Sequence, residues 1–506
     1  MKFGTWKVWA LGLGLGFILG LVVSAAARPF TVVAYNVENL FDLDGVSGYE
    51  DYQPARYTPA HALTKLQNIA KVLARFDGGR GPDLVLFSEL EADATPGRAA
   101  PDYEAILARY ARVRLEEMLG KGFNQEVGDL PAEALLLKAL VDAGLTGYRV
   151  VVGENVVAEG SERKQEITCA VFTRFPVKRA QSHPTLNARA ILEVQVEIDG
   201  AELFVFANHW KSGASDPATE PVRVANAKTL RARLDEILRT DPNADIIIGG
   251  DLNSQYNQKQ RYPRMKLTGI NDVLGSQGNE LAVRQPERPL YNLWFELPPE
   301  ERGSDTYRGE WGTLIHLIIS RGLYDYHGVQ YVDNSFTVAK FPGLNADGDG
   351  LPLRWTFDGP AGAGFSDHFP IAAKFVTVTD GRRDRYLALR NASDGRTTAA
   401  PRKTVDYARI DLEKSAIRTE SLSAGANLRT NEYKGKIFRV EGRVAPGARL
   451  AVEFRGEVFD VWSYDEALRH QLRAGYPEGA TLRFYGELGQ YRDRWQFVIR
   501  DASWVR

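Results

Sequence analysis

The chain has 506 residues, of which 25% are charged and 44% are hydrophobic, the composition of an ordinary globular protein. Its 63 basic and 65 acidic residues give a formal net charge of −2. A protein that binds a polyanion along its whole surface is usually more basic, so any contact with nucleic acid must be local or depend on a metal ion. The single cysteine, Cys169, excludes a disulfide framework.

Residues 1–27 have the pattern of a secretory signal. Lys2 and Lys7 precede an apolar stretch at 8–23, and a run of small residues follows before Arg28. The alternative is a retained membrane anchor, because the apolar run approaches the length that spans a bilayer. Both interpretations predict a mature protein outside the cytoplasm, secreted or periplasmic, with membrane contact only through this segment.

Residues 28–379 alternate short β-branched runs with helical patterns. Nearly continuous apolar runs predict strands that are buried on both faces, and apolar residues at helical spacing predict the helices between them. The predicted strands are 31–35, 83–87, 167–172, 203–207, 245–249 and 314–320, and the predicted helices are 60–73 and 224–238. This region is therefore expected to form a layered α/β domain with two packed sheets. Cys169 lies in one of these strands, where a buried, small apolar side chain is expected.

A second unit follows a polar, turn-rich stretch at 380–403, which is interpreted as a linker. Within residues 404–506, alternation with period two predicts strands at 436–444, 450–454, 457–462, 481–488 and 495–500. One helical segment, 464–472, interrupts them before the last two strands. Five short strands and one helix in this order predict a small all-β barrel of the OB type.

Five short patches place polar side chains at the ends of the apolar strands of the α/β region. They contain Asn36, Glu89, His209, the pair Asp251 and Asn253, and the pair Asp367 and His368. Taken singly, each patch is more simply a turn, a helix cap or a structural histidine. Their conjunction is informative, because two of only seven histidines fall in such patches. Carboxylate and amide oxygens favour a hard cation such as Mg²⁺ or Mn²⁺, and no Cys/His cluster indicates zinc.

The order N…E…H…D-x-N…S-D-H resembles the endonuclease/exonuclease/phosphatase superfamily of metal-dependent phosphoesterases. The segment Y-N-V-E-N-L-F-D at 35–42 is similar to the bacterial extracellular-nuclease branch. The resemblance spans Asn36 to His368 and implies a four-layer α/β/β/α sandwich of two mixed sheets.

The resemblance also implies a role for each matching residue. Glu89 matches the principal metal ligand, with Asn36 and Asp367 in the same cation site. His209 matches a histidine that contacts the scissile phosphate, and His368 matches a base or electrostatic stabiliser. Asp251 and Asn253 match the pair that positions the attacking water and the phosphate oxygens. These roles fit the need of phosphodiester hydrolysis for a cation, charge-stabilising donors and a base.

Two positions depart from the family pattern. Ser88 stands where a glutamine usually precedes the metal-binding glutamate, and Ile315 stands where an aspartate usually orients the second catalytic histidine. An isoleucine cannot orient or stabilise an imidazolium, so the activity depends on whether another carboxylate, such as Asp305, takes this place. His316 follows Ile315 and is expected to face the other side of the strand, either as a packing residue or as part of the site.

The C-terminal region is mildly basic. Residues 401–506 hold 19 Lys and Arg against 15 Asp and Glu. Arg492, Arg494 and Trp495, in and after a predicted turn, are candidates to contact phosphate and to stack a base. The alternative is that Trp495 belongs to the core and that the arginines are solvated turn residues, and OB barrels also bind sugars and proteins.

The leading hypothesis is an exported, Mg²⁺- or Mn²⁺-dependent nuclease that acts on DNA or RNA with nucleic acid as its partner. One alternative is a phosphatase or phosphodiesterase for a smaller substrate, such as a phospholipid or sphingolipid headgroup. Another is a catalytically impaired binding protein, motivated by Ile315. No protein partner is inferred.

Overall fold

The structure is a computed structural model that describes residues 29–378 and 401–506, except 94, 96–99, 162–164, 286–288, 424, 431–432 and 492–493. The predicted signal or anchor and nearly all of the predicted linker lie outside the described residues. Within the described ranges, no helix has both the length and the apolar character needed to cross a bilayer.

The strands of the α/β region, in chain order, are β1 (Phe30–Leu40), β2 (Leu84–Glu91), β3 (Arg149–Val152), β4 (Ile167–Thr173), β5 (Val177–His183), β6 (Ile191–Ile198), β7 (Ala201–His209), β8 (Ile246–Asp251), β9 (Ser276–Gln277), β10 (Leu290–Asn292), β11 (Asp305–Tyr307), β12 (Glu310–Gly312), β13 (Ile315–Ile319), β14 (Gly328–Tyr331), β15 (Thr337–Val338) and β16 (Ile371–Val378). Its α-helices are α1 (Pro59–Leu73), α2 (Tyr103–Arg109), α3 (Leu115–Met118), α4 (Gln125–Gly128), α5 (Ala132–Asp142), α6 (Glu220–Thr240) and α7 (Gln258–Arg261). The six strands and two helices predicted from the sequence are all present, with ends shifted by a few residues.

Two mixed seven-stranded sheets form the centre of this region. The first has the order β14-β16-β1-β2-β4-β3, with β15 on β16, and the second has the order β5-β6-β7-β8-β13-β10-β9. Strands β1 and β2 run parallel, as do β7 and β8, whereas most other neighbours are antiparallel. The short hairpin β11–β12 stands apart from both sheets.

The two sheets pack face to face through an apolar core. Leu84 and Leu86 of the first sheet belong to the same buried cluster as Val205 and Ile247 of the second. Helices α1 and α5 cover the outer face of the first sheet, and α6 covers the outer face of the second. The predicted four-layer α/β/β/α arrangement is confirmed. Cys169 of β4 is fully buried, and burial raises the pKa of its thiol to about 12, as expected for a packing residue.

The C-terminal region contains helices α8 (Leu412–Ser415) and α9 (Glu466–Gly475) and strands β17 (Ile437–Val444), β18 (Ala451–Phe454), β19 (Glu457–Ser463), β20 (Thr481–Tyr491) and β21 (Arg494–Ile499). These strands form a closed barrel in the order β17-β18-β19-β21-β20. Alternate residues of β17 point inward, so that Phe438 and Val440 are buried while Arg439 and Glu441 are exposed. The closed five-stranded barrel, with a helix between its third and fourth strands, is consistent with the predicted OB type.

Candidate metal and phosphoester site

Glu89 is held at a β-bulge. The pairing of β2 with β4 shifts register between Ser88 and Leu90, and Glu89 between them has a φ of +67°. An extra residue in one strand breaks the strict in-and-out alternation and redirects a side chain. The bulge therefore places the Glu89 carboxylate beside Asn36 of β1, to which it is hydrogen-bonded.

His209 and Asp251 end two adjacent parallel strands, β7 and β8, and lie opposite each other in register. Gly250, which precedes Asp251, has a φ of +107°, and a Cβ atom there would lie 2.3 Å from the Asn208 carbonyl oxygen. Only glycine permits this close approach of the two strands. The G-G-D sequence thus serves to bring the Asp251 carboxylate next to the end of β7.

Side chains from separate strands and loops converge at this edge of the sheets. Asn36 Nδ2 donates to Glu89 Oε1 at 2.9 Å and to Asp251 Oδ2 at 3.1 Å. His209 Nε2 lies 3.6 Å from the same Glu89 oxygen and 3.9 Å from the same Asp251 oxygen. His368, in the loop before β16, places its Nε2 3.9 Å from that Asp251 oxygen. The structure therefore brings together residues that the sequence scatters between positions 36 and 368.

The two remaining candidates of the α/β region lie at the same place. The Asn253 backbone N–H donates to Asp251 Oδ1 at 2.8 Å, and its side-chain amide donates to the Trp210 carbonyl at 3.1 Å. Asp367 Oδ1 lies 3.7 Å from His368 Nε2, and the Asp367 side chain is 41% exposed. Asn253 thus braces Asp251 from inside, whereas Asp367 faces the opening of the site.

Burial and crowded charge give the two histidines opposite protonation. Burial lowers the pKa of His209 well below its ordinary value, and the nearby charges of Arg189 and His368 lower it further. Burial also opposes the charge of His368, but carboxylates led by Asp367, Asp305 and Asp251 raise the pKa of its imidazole to about 9. At neutral pH the site therefore combines a neutral imidazole and an imidazolium.

The carboxylates at the centre of the site are largely buried and close to one another. Burial, with a contribution from Asp367, raises the pKa of Glu89 to about 7, and burial raises the pKa of Asp251. Glu89, His209 and Asp251 each present a ligand atom, all within 4.8 Å of one another. Carboxylate oxygens gathered in this way are ligands that a hard divalent cation prefers. Glu89, His209 and Asp251 are thus placed where they could hold a divalent cation.

Asp305, at the start of β11, faces the second histidine. Its Oδ1 lies 4.0 Å from His368 Nδ1 and accepts hydrogen bonds from Leu314 N–H and the Ser304 hydroxyl. The backbones of Asp305 and His368 also form an antiparallel bridge. Asp305 therefore supplies a buried carboxylate beside Nδ1 of His368.

Ile315 and His316 both lie within the protein. Ile315 is fully buried in the apolar core between the sheets. His316 points to the other face of β13, as the alternation predicts, where its ring nitrogens contact the Ser254 carbonyl and the Asn292 amide. Burial lowers the pKa of His316 to about 4. His316 is therefore a packed structural histidine on the side of β13 opposite Ile315.

Two groups near the site escaped the sequence reasoning. Lys65 is fully buried, and its ammonium group donates to the Glu38 carbonyl at 2.8 Å and lies over the Trp355 ring. A signal was present, because Lys65 falls at the same helical spacing as the buried residues Ala62, Leu66 and Ile69. Arg189, which donates to the Trp210 carbonyl, lies on a loop with no such signal.

The candidates of the barrel lie apart from this cluster. Arg494 pairs with Asp460 at 3.2 Å, and Trp495 is half-buried against the barrel core. Arg492 lies outside the described residues. Their predicted contact with substrate stays a prediction.

Residues 164–377 match the model of the Endonuclease/Exonuclease/phosphatase family. This segment contains His209, Asp251, Asn253, Asp367 and His368, whereas Asn36 and Glu89 precede it. No curated protein gives a significant sequence match.

Solved structures of low identity are similar to about two thirds of the chain. They include truncated TDP2 from Caenorhabditis elegans (16% identity, 69% of this chain and 97% of that chain, TM-score 0.36). An endonuclease/exonuclease/phosphatase family protein from Leptotrichia buccalis C-1013-b has 13% identity over 68% of this chain and 99% of that chain, with a TM-score of 0.38. D. rerio TDP2 complexed with single strand DNA product has 13% identity over 69% and 98%, with a TM-score of 0.36.

Proposed function

We propose that this chain is an exported phosphodiesterase that depends on Mg²⁺ or Mn²⁺ and hydrolyses DNA or RNA. The observation that carries the proposal is the convergence of an amide, two carboxylates and two histidines at one edge of the sheets. The family match of residues 164–377 supports hydrolysis of a phosphoric ester, and the signal-like segment 1–27 supports export.

A phosphodiester is anionic and resists attack by water, so hydrolysis requires positive charge at the phosphoryl oxygens and an acceptor for the proton of the water. Glu89, Asn36 and Asp367 would hold the cation, which supplies positive charge at a phosphoryl oxygen. Neutral His209 can donate a hydrogen bond to the phosphate, and Asp251, braced by Asn253, can accept the proton of the water. The His368 imidazolium stabilises the negative charge that develops.

The proximity of Asp305 to His368 favours an active enzyme over the impaired binding protein suggested by Ile315. The imidazolium has a buried carboxylate 4.0 Å away, so its charge is supported even though position 315 is apolar. A phosphodiesterase for a small substrate would use the same catalytic residues. A comparison of the rates on nucleic acid and on small phosphodiesters distinguishes the two activities.

The test incubates the full chain with plasmid DNA, single-stranded DNA, RNA, a phospholipid and bis(p-nitrophenyl) phosphate, with Mg²⁺ or with EDTA. We expect EDTA-sensitive cleavage of nucleic acid, and a loss of at least about 100-fold in Glu89→Gln and His209→Ala, which remove a cation ligand and a phosphate donor. Preferential hydrolysis of the phospholipid would replace the nuclease by the smaller-substrate alternative.

Matched controls are Glu300→Gln and His470→Ala, which change an exposed glutamate and an exposed histidine remote from the site. Both should retain the wild-type rate. Full activity in Glu89→Gln and His209→Ala, or activity that resists EDTA, would contradict the proposed site.

A further inference from the structure

A cavity of about 470 Å³ lies between the tip of hairpin β11–β12 and the C-terminal barrel. Among the described residues, five large aromatic side chains are exposed, and four of them line this one cavity. They are Tyr307 of the hairpin and Trp462, Tyr464 and Tyr491 of the barrel. The fifth, Phe123, lies elsewhere. Exposed aromatic rings gathered at one place mark a binding surface rather than ordinary surface scatter.

The charge of the cavity is positive. Arg308, Arg449 and Arg473 line it together with a single carboxylate, Asp460. Asp460 is already engaged by Arg494 at 3.2 Å and by Arg449 at 3.9 Å. Neither Arg308 nor Arg473 forms an ion pair with any residue that the structure describes. The surface therefore offers cations that are free to contact an anionic ligand.

Arg308 joins the two domains at this point. Its guanidinium lies 4.9 Å from the ring centroid of Tyr307 and 4.5 Å from that of Tyr464, so it stacks between the hairpin and the barrel. Residues 401–404 add further ties, with hydrogen bonds from Trp311 N–H to the Arg402 carbonyl and from Thr404 N–H to the Gly309 carbonyl. Hairpin and barrel thus form one composite surface, which we call the hairpin–barrel cleft.

The same hairpin reaches the phosphoester site. Asp305 at its base lies 4.0 Å from His368, and Tyr307 and Arg308 lie at its tip. Two residues of extended strand span about 7 Å. A ligand bound at the tip of the hairpin would therefore lie only about this strand length from Asp305, which contacts His368.

We propose that the hairpin–barrel cleft binds single-stranded nucleic acid and delivers it to the phosphoester site, an inference that rests on the proposed function. Unpaired bases stack on exposed aromatic rings whatever their sequence, and arginines bind the backbone phosphates. A duplex keeps its bases stacked inside and cannot use these rings. A neutral oligosaccharide would use the rings but would leave the positive charges of Arg308 and Arg473 without an anionic partner.

The test measures binding of fluorescein-labelled dT20 to the full chain by anisotropy in EDTA, so that nothing is cleaved. Trp462→Ala and Tyr491→Ala should each weaken binding by roughly 5- to 100-fold through the loss of one stacked base. Arg308→Ala should reduce the slope of log K against log salt by about 0.7, the loss of one phosphate contact. Phe123→Ala and Arg239→Ala, on other surfaces, are the matched controls and should leave binding unchanged.

A second readout separates this inference from the proposed function. Hydrolysis of bis(p-nitrophenyl) phosphate, which is too small to span the cleft, should be unchanged in the cleft variants, while cleavage of single-stranded DNA at subsaturating concentration falls with the binding. If the small phosphodiester is cleaved but the cleft variants bind dT20 normally, only the cleft assignment fails. Binding of a 20-base-pair duplex or of chito-oligosaccharide as tight as that of dT20 would also overturn it. If the wild-type chain hydrolyses no substrate but binds dT20, and the cleft variants weaken that binding, the proposed function is wrong and the cleft remains a binding site.

Discussion

Glu89 and Asn253 both adopt left-handed backbone conformations, with φ angles of +67° and +47°. Such conformations cost a non-glycine residue about 1–3 kcal/mol and persist where the surrounding structure fixes them. Both residues lie in the candidate site, and Glu38, with a φ of +52°, lies on the same strand as Asn36. Strain at these positions is consistent with side chains that are aimed at a reacting group rather than chosen for stability.

Asp305 gives a test of how the second histidine is supported. We expect Asp305→Asn to lower kcat for bis(p-nitrophenyl) phosphate by about 10- to 100-fold with little change in KM, because the variant keeps the shape but loses the charge beside His368. Steady-state kinetics with Mg²⁺ measure both parameters, and thermal unfolding checks that the variant folds. Asp325→Asn, a carboxylate on another loop, is the control; equal kinetics in Asp305→Asn and wild type would show that Asp305 does not act on His368.

Sequence reasoning proposed Asn36, Glu89, His209, Asp251 and His368 as site residues because each lies near an end of an apolar run, and strand ends meet at one edge of a sheet. It could not rank Asp305, since this residue begins a three-residue strand with no hydrophobic pattern of its own. Only the backbone bridge between Asp305 and His368, residues 63 positions apart, places the two together.

At the scale of elements, an ion pair joins the second sheet to its covering helix. Glu193 of β6 accepts two hydrogen bonds at 2.8 Å from the guanidinium of Arg233 in α6 and contacts His183 at 2.6 Å. Burial opposes the charge of this carboxylate, but the bonds from Arg233 and His183 lower the pKa of Glu193 from 4.5 to about 2. The ionised form is thus stabilised by folding.

The pair predicts a pH-dependent stability difference. A carboxyl whose pKa is lower in the folded state stabilises the protein above its unfolded pKa, near 4.5, and loses this contribution as the pH falls toward 2. Glu193→Gln should therefore cost about 1–2 kcal/mol at pH 7, reduced by solvent screening of Arg233, and the cost should shrink below pH 4.5.

Urea unfolding of wild type and variant at a series of pH values measures this difference. Glu197→Gln on the same strand removes an exposed pair with Lys178 and is the control, with an expected cost below about 0.5 kcal/mol. A Glu193→Gln penalty that is independent of pH would assign the effect to packing rather than to charge.

The bulge in β2 and the hairpin β11–β12 show why predicted strands and helices do not by themselves fix the positions of the site residues. The apolar run before Glu89 predicted the strand, but the extra residue that turns its carboxylate depends on the partner strand β4. The residues of the hairpin give no alternation long enough to read, and its role depends on what packs against its tip.

At the scale of the whole molecule, the near-neutral charge averages two unlike parts. Residues 401–506 carry 19 basic and 15 acidic residues, whereas the rest of the chain carries 44 and 50. The acidic part contains the carboxylates of the proposed cation site, and the basic part contributes arginines to the hairpin–barrel cleft. A net charge of −2 therefore excludes a broadly basic binder and is compatible with a nuclease.

The barrel has a core separate from those of the α/β region, which leads to a further prediction. Trp504 is fully buried there, and its indole N–H donates to the Tyr407 carbonyl at 2.9 Å. Trp504→Ala should destabilise the barrel by about 3–5 kcal/mol and abolish dT20 binding, because the cleft loses one wall. Hydrolysis of bis(p-nitrophenyl) phosphate should persist, since the phosphoester site lies in the other core.

Calorimetry measures whether Trp504→Ala lowers the unfolding temperature of the barrel while that of the α/β region stays unchanged. Trp462→Ala, an exposed tryptophan of the same barrel, is the control and should leave the unfolding temperature unchanged. Loss of small-substrate hydrolysis together with barrel stability would show that the two units fold as one.

The sequence by itself determined the two-sheet sandwich, the small barrel and the residues at the ends of the main strands. Buried strands and helices require hydrophobic residues at regular spacing, and this spacing can be recognised in the sequence. Tertiary structure alone decided how those residues meet: the bulge at Glu89, the approach of Asp305 to His368, and the gathering of Tyr307 with the barrel aromatics. These contacts join residues far apart in the chain through irregular backbone, and no local period records them.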